Sequence, residues 1–162
     1  MRGTARRLAV GAAMVLSVAG GITLPAAPAS AAGWGCSGTE VSDSPYAVTT
    51  GDGDVYSYVH LYWNGSTGRN CAVNVKAGRL SGTPTLTQIA LLACRQDGPV
   101  GGSASQCTAI EYPMDPSRSD IYYSSYAGPV SVNGSGHCIM VTGITYDTDG
   151  TRAEYRSPMF HC

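Results

Sequence analysis

The chain has 162 residues, with ten Lys or Arg against eleven Asp or Glu, and 21 glycines with nine prolines. That length suits one ordinary domain and excludes two, and the glycine and proline content argues against long helices. After Arg7 the basic residues are spread singly, so there is no basic stripe to displace counterions from a phosphate backbone; neither nucleic acid nor an anionic membrane is an expected partner.

In chain order, the first element has a build of its own. Arg2, Arg6 and Arg7 make a positive start, Leu8 to Leu24 is mostly apolar, and Pro25 to Ala32 is small and helix-breaking, with Ala29 and Ala31 forming an A-x-A site. This reads as a secretory signal peptide over residues 1–31, cleaved after Ala31 or Ala32, ahead of a single β domain over 32–162. Gly11, Gly20 and Gly21 make a poor permanent anchor, and the surroundings of Arg6-Arg7 and of Cys36 fit neither twin-arginine export nor lipid attachment. Three basic residues and no acidic ones lie in the leader, so the remainder has seven cations against eleven anions and a formal charge of −4. No later apolar run approaches the roughly 20 residues of a membrane span, so the mature form is expected to have no membrane partner.

From residue 33 on, short runs rich in Val, Ile, Thr and Tyr are cut by Gly, Asn, Asp and Pro, an all-β pattern. Val55 to Trp63 and Asn70 to Lys76 form the clearest pair, joined through Asn64-Gly65-Ser66-Thr67-Gly68, whose Asn-Gly readily takes the positive φ of a tight turn. In the first of these, Val55, Ser57, Val59, Leu61 and Trp63 alternate with Tyr56, Tyr58, His60 and Tyr62, as a strand with one face in the core should. Leu86 to Cys94 has the composition of a buried central strand and returns, through Gly98-Pro99 and Gly101-Gly102, as Cys107 to Tyr112. Ile121 to Tyr126 follows, punctuated by Gly128-Pro129 before Val130 to Asn133; Asn133-Gly134 is expected to open a hairpin into Cys138 to Thr142. Ile144 to Tyr146 and Arg152 to Tyr155 close the chain around the turn Asp147-Thr148-Asp149-Gly150. The total is about eight or nine strands in a two-sheet sandwich, with a small β-barrel as the second choice.

All six cysteines lie beyond the leader, and an even number in an exported chain implies three disulfides. Six cysteines permit fifteen pairings. Sequential pairing, Cys36 with Cys71, Cys94 with Cys107 and Cys138 with Cys162, brackets one or two hairpins per loop and needs no long crossing. Each loop would contribute about 3 to 4 kcal/mol by chain entropy, against a typical net stability of about 5 to 15 kcal/mol. No C-x-x-C pair is present, so a zinc module is not expected.

Candidate chemistry is sparse. There is no G-x-S-x-G elbow, Ser103 reads as loop material, and His137 and His161 read as surface residues beside one disulfide. Asp52 and Asp54, and Asp147, Asp149 and Glu154, lack the spacing of a calcium loop and read as turn chemistry. No carboxylate pair is singled out for glycoside hydrolysis. Neither a catalytic residue, a metal site nor a cofactor is therefore expected. The aromatic bias is the remaining surplus: ten Tyr and two Trp against one Phe. Tyr suits strands in any case, but Tyr56, Tyr58, Tyr62 and Trp63, with Tyr122, Tyr123 and Tyr126, also form a candidate binding surface, with rings that stack and polar tips that stay wet.

Four segments carry a family likeness: the leader followed by Gly35-Cys36-Ser37-Gly38, the stretch Leu61 to Cys71, the run Tyr126-Ala127-Gly128-Pro129-Val130, and Gly136-His137-Cys138 with Cys162. In that order they resemble the spore-associated protein A family, small secreted proteins of spore-forming filamentous bacteria; relative to that pattern the chain has an additional cysteine pair, Cys94 and Cys107. The resemblance implies an extracellular protein associated with spores or hyphae and supplies no catalytic residues. The leading expectation is a structural or binding protein at a cell or spore surface, its partner a wall polymer or a surface protein. An extracellular protease or glycosidase inhibitor presenting residues 95–106 is the alternative, followed by a small secreted hydrolase.

Overall fold

A computed structural model describes residues 33–95 and 101–162. The leader segment and the Gly98-Pro99 turn, with residues 96–100 of the candidate inhibitory loop, lie outside the described residues. Ten strands are present among those described: β1 (Thr39–Glu40), β2 (Tyr46–Thr49), β3 (Val55–Asn64), β4 (Arg69–Lys76), β5 (Thr87–Cys94), β6 (Ala109–Glu111), β7 (Met114–Asp115), β8 (Tyr126–Asn133), β9 (Cys138–Tyr146) and β10 (Arg152–Arg156). The described helical structure consists of short 3₁₀ turns at Gly33–Gly35, Gly78–Leu80 and Ala104–Gln106. The expected all-β domain is what forms.

The strands make one antiparallel sheet in the order β6-β5-β9-β10-β2-β3-β4-β8, with β1 beside β3 and β7 beside β5. This sheet curls until β8 comes beside β5 and β7, so of the two architectures expected the nearly closed barrel is adopted. Among the described residues no strand ladder joins the two sides of the seam, only a single backbone bridge between Thr85 and Tyr123. Carboxylates span the rest: Asp115 accepts the Gly128 amide at 2.5 Å and the Tyr123 hydroxyl at 2.8 Å, and Glu111 lies 3.3 Å from the Asn133 amide.

The turns form where expected, with corrections. In the β3–β4 hairpin, Asn64 Oδ1 accepts the amides of Ser66 and Thr67, and the positive φ expected at Asn64-Gly65 falls instead on Gly68, at 66°. Asn133-Gly134, expected to open a hairpin, instead begins a crossover: β8 pairs with β4, and β9 with β5 and β10. The Gly134 and Ser135 amides donate to the Gly68 carbonyl, so this turn docks on the β3–β4 loop rather than closing a ladder of its own. Gly128-Pro129, expected as punctuation between strands, is a bulge inside the single strand β8, where the register with β4 shifts between Ala72 and Asn74. Similarly, β9 runs unbroken through Gly143.

All three disulfides form in the sequential pairing: Cys36–Cys71, Cys94–Cys107 and Cys138–Cys162. The barrel interior holds Val48, Val59, Leu61, Ala72, Ile89, Leu91, Ala93, Val130, Val132, Ile139, Val141 and Ala153, all buried. Gly143 is required by this packing, because a Cβ there would overlap Val59 Cγ2 and press on Val48 Cγ2. Gly143→Ala should therefore cost about 1–3 kcal/mol through overpacking. Gly51→Ala, which meets no neighbouring atom, should stay within about 0.5 kcal/mol of the parent. Urea unfolding of both variants checks the difference, and equal midpoints would refute it.

Candidate functional site

Alternation along β4 sends Ala72, Asn74 and Lys76 inward and Cys71, Val73 and Val75 outward, so one end of the interior is polar. Ser57, Asn74, Lys76, Thr85, Thr87 and Thr145 are all buried there. Ser57 and Thr145 hydroxyls meet at 2.7 Å, and the Asn74 amide donates to the carbonyls of Gln88 and Ile144 and to Thr145 Oγ1. Asn74 Oδ1 is buried without a partner.

Lys76 is 5% exposed. Its ammonium donates to the Thr83 carbonyl, Thr85 Oγ1 and the Tyr123 carbonyl at 2.5, 2.5 and 2.9 Å, using all three protons on neutral acceptors. Burial pushes the amine down from 10.5 to about 8, against the pull of the Asp147 carboxylate. Asp147, also buried, forms an ion pair with the Arg79 guanidinium and receives the Thr148 amide. That amide, followed by Arg79, holds the carboxyl below its ordinary range in spite of burial. Arg79 also donates to the Tyr56 hydroxyl at 3.1 Å and lies over the Tyr56 ring, 5.2 Å from its centroid.

Beside this network lies a cleft of about 440 Å³, lined by Pro84, Thr85, Leu86, Tyr122, Tyr146, Asp147, Thr148 and Gly150. It opens at the polar mouth of the barrel, a location where ligand sites recur. A second cleft, of about 420 Å³, lies at the other end of the β3–β4 hairpin and is lined by Val41, Trp63, Asn70, Gly134, Ser135, Gly136, His161 and Cys162. In it, His161 Nε2 lies 3.6 Å from Asp43. Among the described residues, no group of three or more His, Cys, Asp or Glu is placed to hold a metal ion.

The seven aromatic residues singled out by sequence are divided rather than gathered. Tyr56 and Tyr62 are each only 4% exposed and do not belong to an open surface. The 3₁₀ turn Gly78–Leu80 covers Tyr56, and the segment Gly33–Cys36, pinned by Cys36–Cys71, covers Tyr62. Trp34 packs on His60 at 4.6 Å, and His60 in turn lies 2.7 Å from Glu40. Tyr58 stays open between these covers. Val75 pairs with Tyr58 on one side and Tyr126 on the other, so the three make a row across the outside of β3, β4 and β8. Tyr122 is 61% exposed at the mouth, Tyr123 is half-buried at the seam, and Trp63 stands at the opposite cleft.

Lys76, Arg79, Thr85, Tyr146 and Asp147 were not legible as a site. Asp147 carries a turn signal, and Lys76 reads as an ordinary strand end; only the inward parity of β4 brings them together. Comparison with protein families, with curated proteins and with solved structures returns no match.

The mouth has a signed pH response. Between about 8 and 10.5 the unfolded chain holds a proton that folded Lys76 has released, so stability rises with pH. Burial raises Tyr46, Tyr56, Tyr62 and Tyr155 and pushes Tyr123 up to about 12, so above about 10 the unfolded chain loses protons the folded one keeps, and stability falls. Denaturation midpoints should therefore peak at about pH 9 to 10. Lys76→Met should abolish the rise while leaving the fall, and an unaltered rise in that variant would exclude Lys76 as its source.

Proposed function

We propose that this chain is an exported, non-catalytic protein that holds to a wall polymer at a cell or spore surface through exposed aromatic side chains. One contrast carries the reading. At the mouth the charges are already satisfied internally: the Lys76 protons are all donated to neutral oxygens, and Asp147 is paired with Arg79 and Thr148, keeping only a weak 3.5 Å contact from the Tyr56 hydroxyl that is open to exchange. Tyr58, Trp63 and Tyr122, in contrast, present aromatic surface to solvent. Committed polar groups hold a shape, and open rings supply contact area at low entropic cost.

Three disulfides fit an oxidising compartment, and no described helix is long and apolar enough to cross a membrane. The leader-like segment and the resemblance to spore-associated proteins point the same way. A reversible association is the appropriate expectation, since an aromatic contact is worth about 0.5–1.5 kcal/mol beyond the area it buries.

Fractionation of medium, hyphae and spores, followed by sedimentation of the protein with purified wall, tests the proposal. The protein should pellet with wall, and Tyr58→Ala, whose side chain is 37% exposed, should reduce the pelleted fraction while the protein stays folded at the assay temperature, as its thermal midpoint checks. Recovery only in the medium, with no wall sedimentation, would sink the surface role.

A further inference from the structure

We propose that the cleft at the barrel mouth is the specific site, and that its ligand is a neutral glycan of equatorially substituted, β-linked pyranoses. This rests on the wall-binding reading above and names the chemistry it would use. Three separate segments build the cleft: Pro84–Leu86 ahead of β5, the loop carrying Tyr122, and the β9–β10 turn from Tyr146 to Gly150. Its volume of about 440 Å³ is that of a small-ligand site.

The lining selects the ligand class. An equatorially substituted pyranose has a flat C–H face and a rim of hydroxyls. Tyr122 and Tyr146 supply aromatic faces for the first, each with a polar tip for the second. Thr85 and Asp147 are both more than nine-tenths buried and still line the cleft, each held in place by internal partners. Thr85 Oγ1 accepts from Lys76, which leaves its own hydroxyl hydrogen available to donate. Asp147 Oδ2 receives Arg79 firmly, whereas the Tyr56 hydroxyl reaches it only at 3.5 Å, a weak bond that a sugar hydroxyl can replace. The site thus offers one donor and one acceptor beside two rings, the pattern a hydroxyl rim needs.

Charge decides against polyanions. Lys76 and Arg79, the cations of the mouth, are spent on internal partners, and the chain beyond the leader carries a formal charge of −4. An anionic polymer would meet repulsion with no cation released to offset it.

The exported protein is titrated calorimetrically with cellohexaose and chitohexaose, with maltohexaose as an α-linked control and hexagalacturonate as an anionic one. At least one of the first two should bind, and both controls should bind at least tenfold more weakly. Tyr122→Ala should weaken binding about tenfold and Thr85→Val roughly three- to tenfold. Tyr122 is exposed, so its variant should keep the parental unfolding midpoint, and that measurement separates lost contact from lost fold. Wall sedimentation without binding of either β-linked probe would overturn the cleft assignment and leave the surface role standing. Binding that Tyr122→Ala and Thr85→Val leave unchanged would place the ligand elsewhere and overturn it too, as would equal affinity for hexagalacturonate. Absence of wall sedimentation by the parent protein would remove the surface role itself.

Discussion

Asp115 is the hinge of this architecture. A sheet that curls until its ends face each other, without a ladder between them, leaves a line of amides and carbonyls that must be satisfied some other way. Asp115 meets that need with both oxygens, one on the Gly128 amide across the seam and one on the Tyr123 hydroxyl. The bulge at Gly128-Pro129 makes the first contact possible, because it turns the Gly128 amide toward the seam, and the positive φ of 104° suits glycine. The second contact fixes Tyr123, whose backbone exchanges two hydrogen bonds with Thr85 and whose carbonyl receives Lys76. Tyr122 therefore stands at the mouth because its neighbour is held by the seam.

The interior follows from the same closure. A small barrel must fill itself with inward side chains, and strand alternation admits whatever stands at the inward positions. At one end these are Leu61, Ala72, Leu91 and Ile139; at the other they are Ser57, Asn74, Lys76, Thr87 and Thr145. Burying an ammonium costs several kcal/mol unless its protons are satisfied, and three neutral oxygens satisfy Lys76 at the expense of some proton affinity. Such a polar plug is stiff, since moving any member orphans the others. Stiffness at the floor of the cleft would hold the donors and acceptors of the proposed site in place beforehand.

What sequence could and could not reveal divides along one physical line. Local signals survived: the Asn64–Gly68 hairpin, the Asp147–Gly150 turn and the alternation of β3 depend on residues near one another in the chain, and the sequential disulfides join each cysteine to its next neighbour, 13 to 35 residues on. On β4 the strand was legible, but not which of its faces turns inward. Val73 and Val75 look like core residues, yet they face outward beneath the amino-terminal segment and beside Tyr58, while Asn74 and Lys76 point in. Burial of Tyr56 and Tyr62 was equally hidden, because the covering pieces, Gly78–Leu80 and Gly33–Cys36, come from outside the strand. The crossover after Asn133 escaped for the same reason: an Asn-Gly turn announces a reversal but not which strand receives it.

The covalent links complete this picture by their placement. Cys71 is the third residue of β4, Cys94 ends β5 and Cys138 opens β9, where Cys94 and Cys138 are register partners. All three bonds thus lie at the apolar end, at the far end of the β3–β4 hairpin from Lys76 and Tyr56. A disulfide acts chiefly by restricting the unfolded chain, so these bonds stabilise the whole domain wherever they sit, and concentrating them at one end costs nothing globally. Locally the consequence is different. The mouth is held by hydrogen bonds, one ion pair and the seam carboxylate, so it is the end whose contacts can rearrange without breaking a covalent bond.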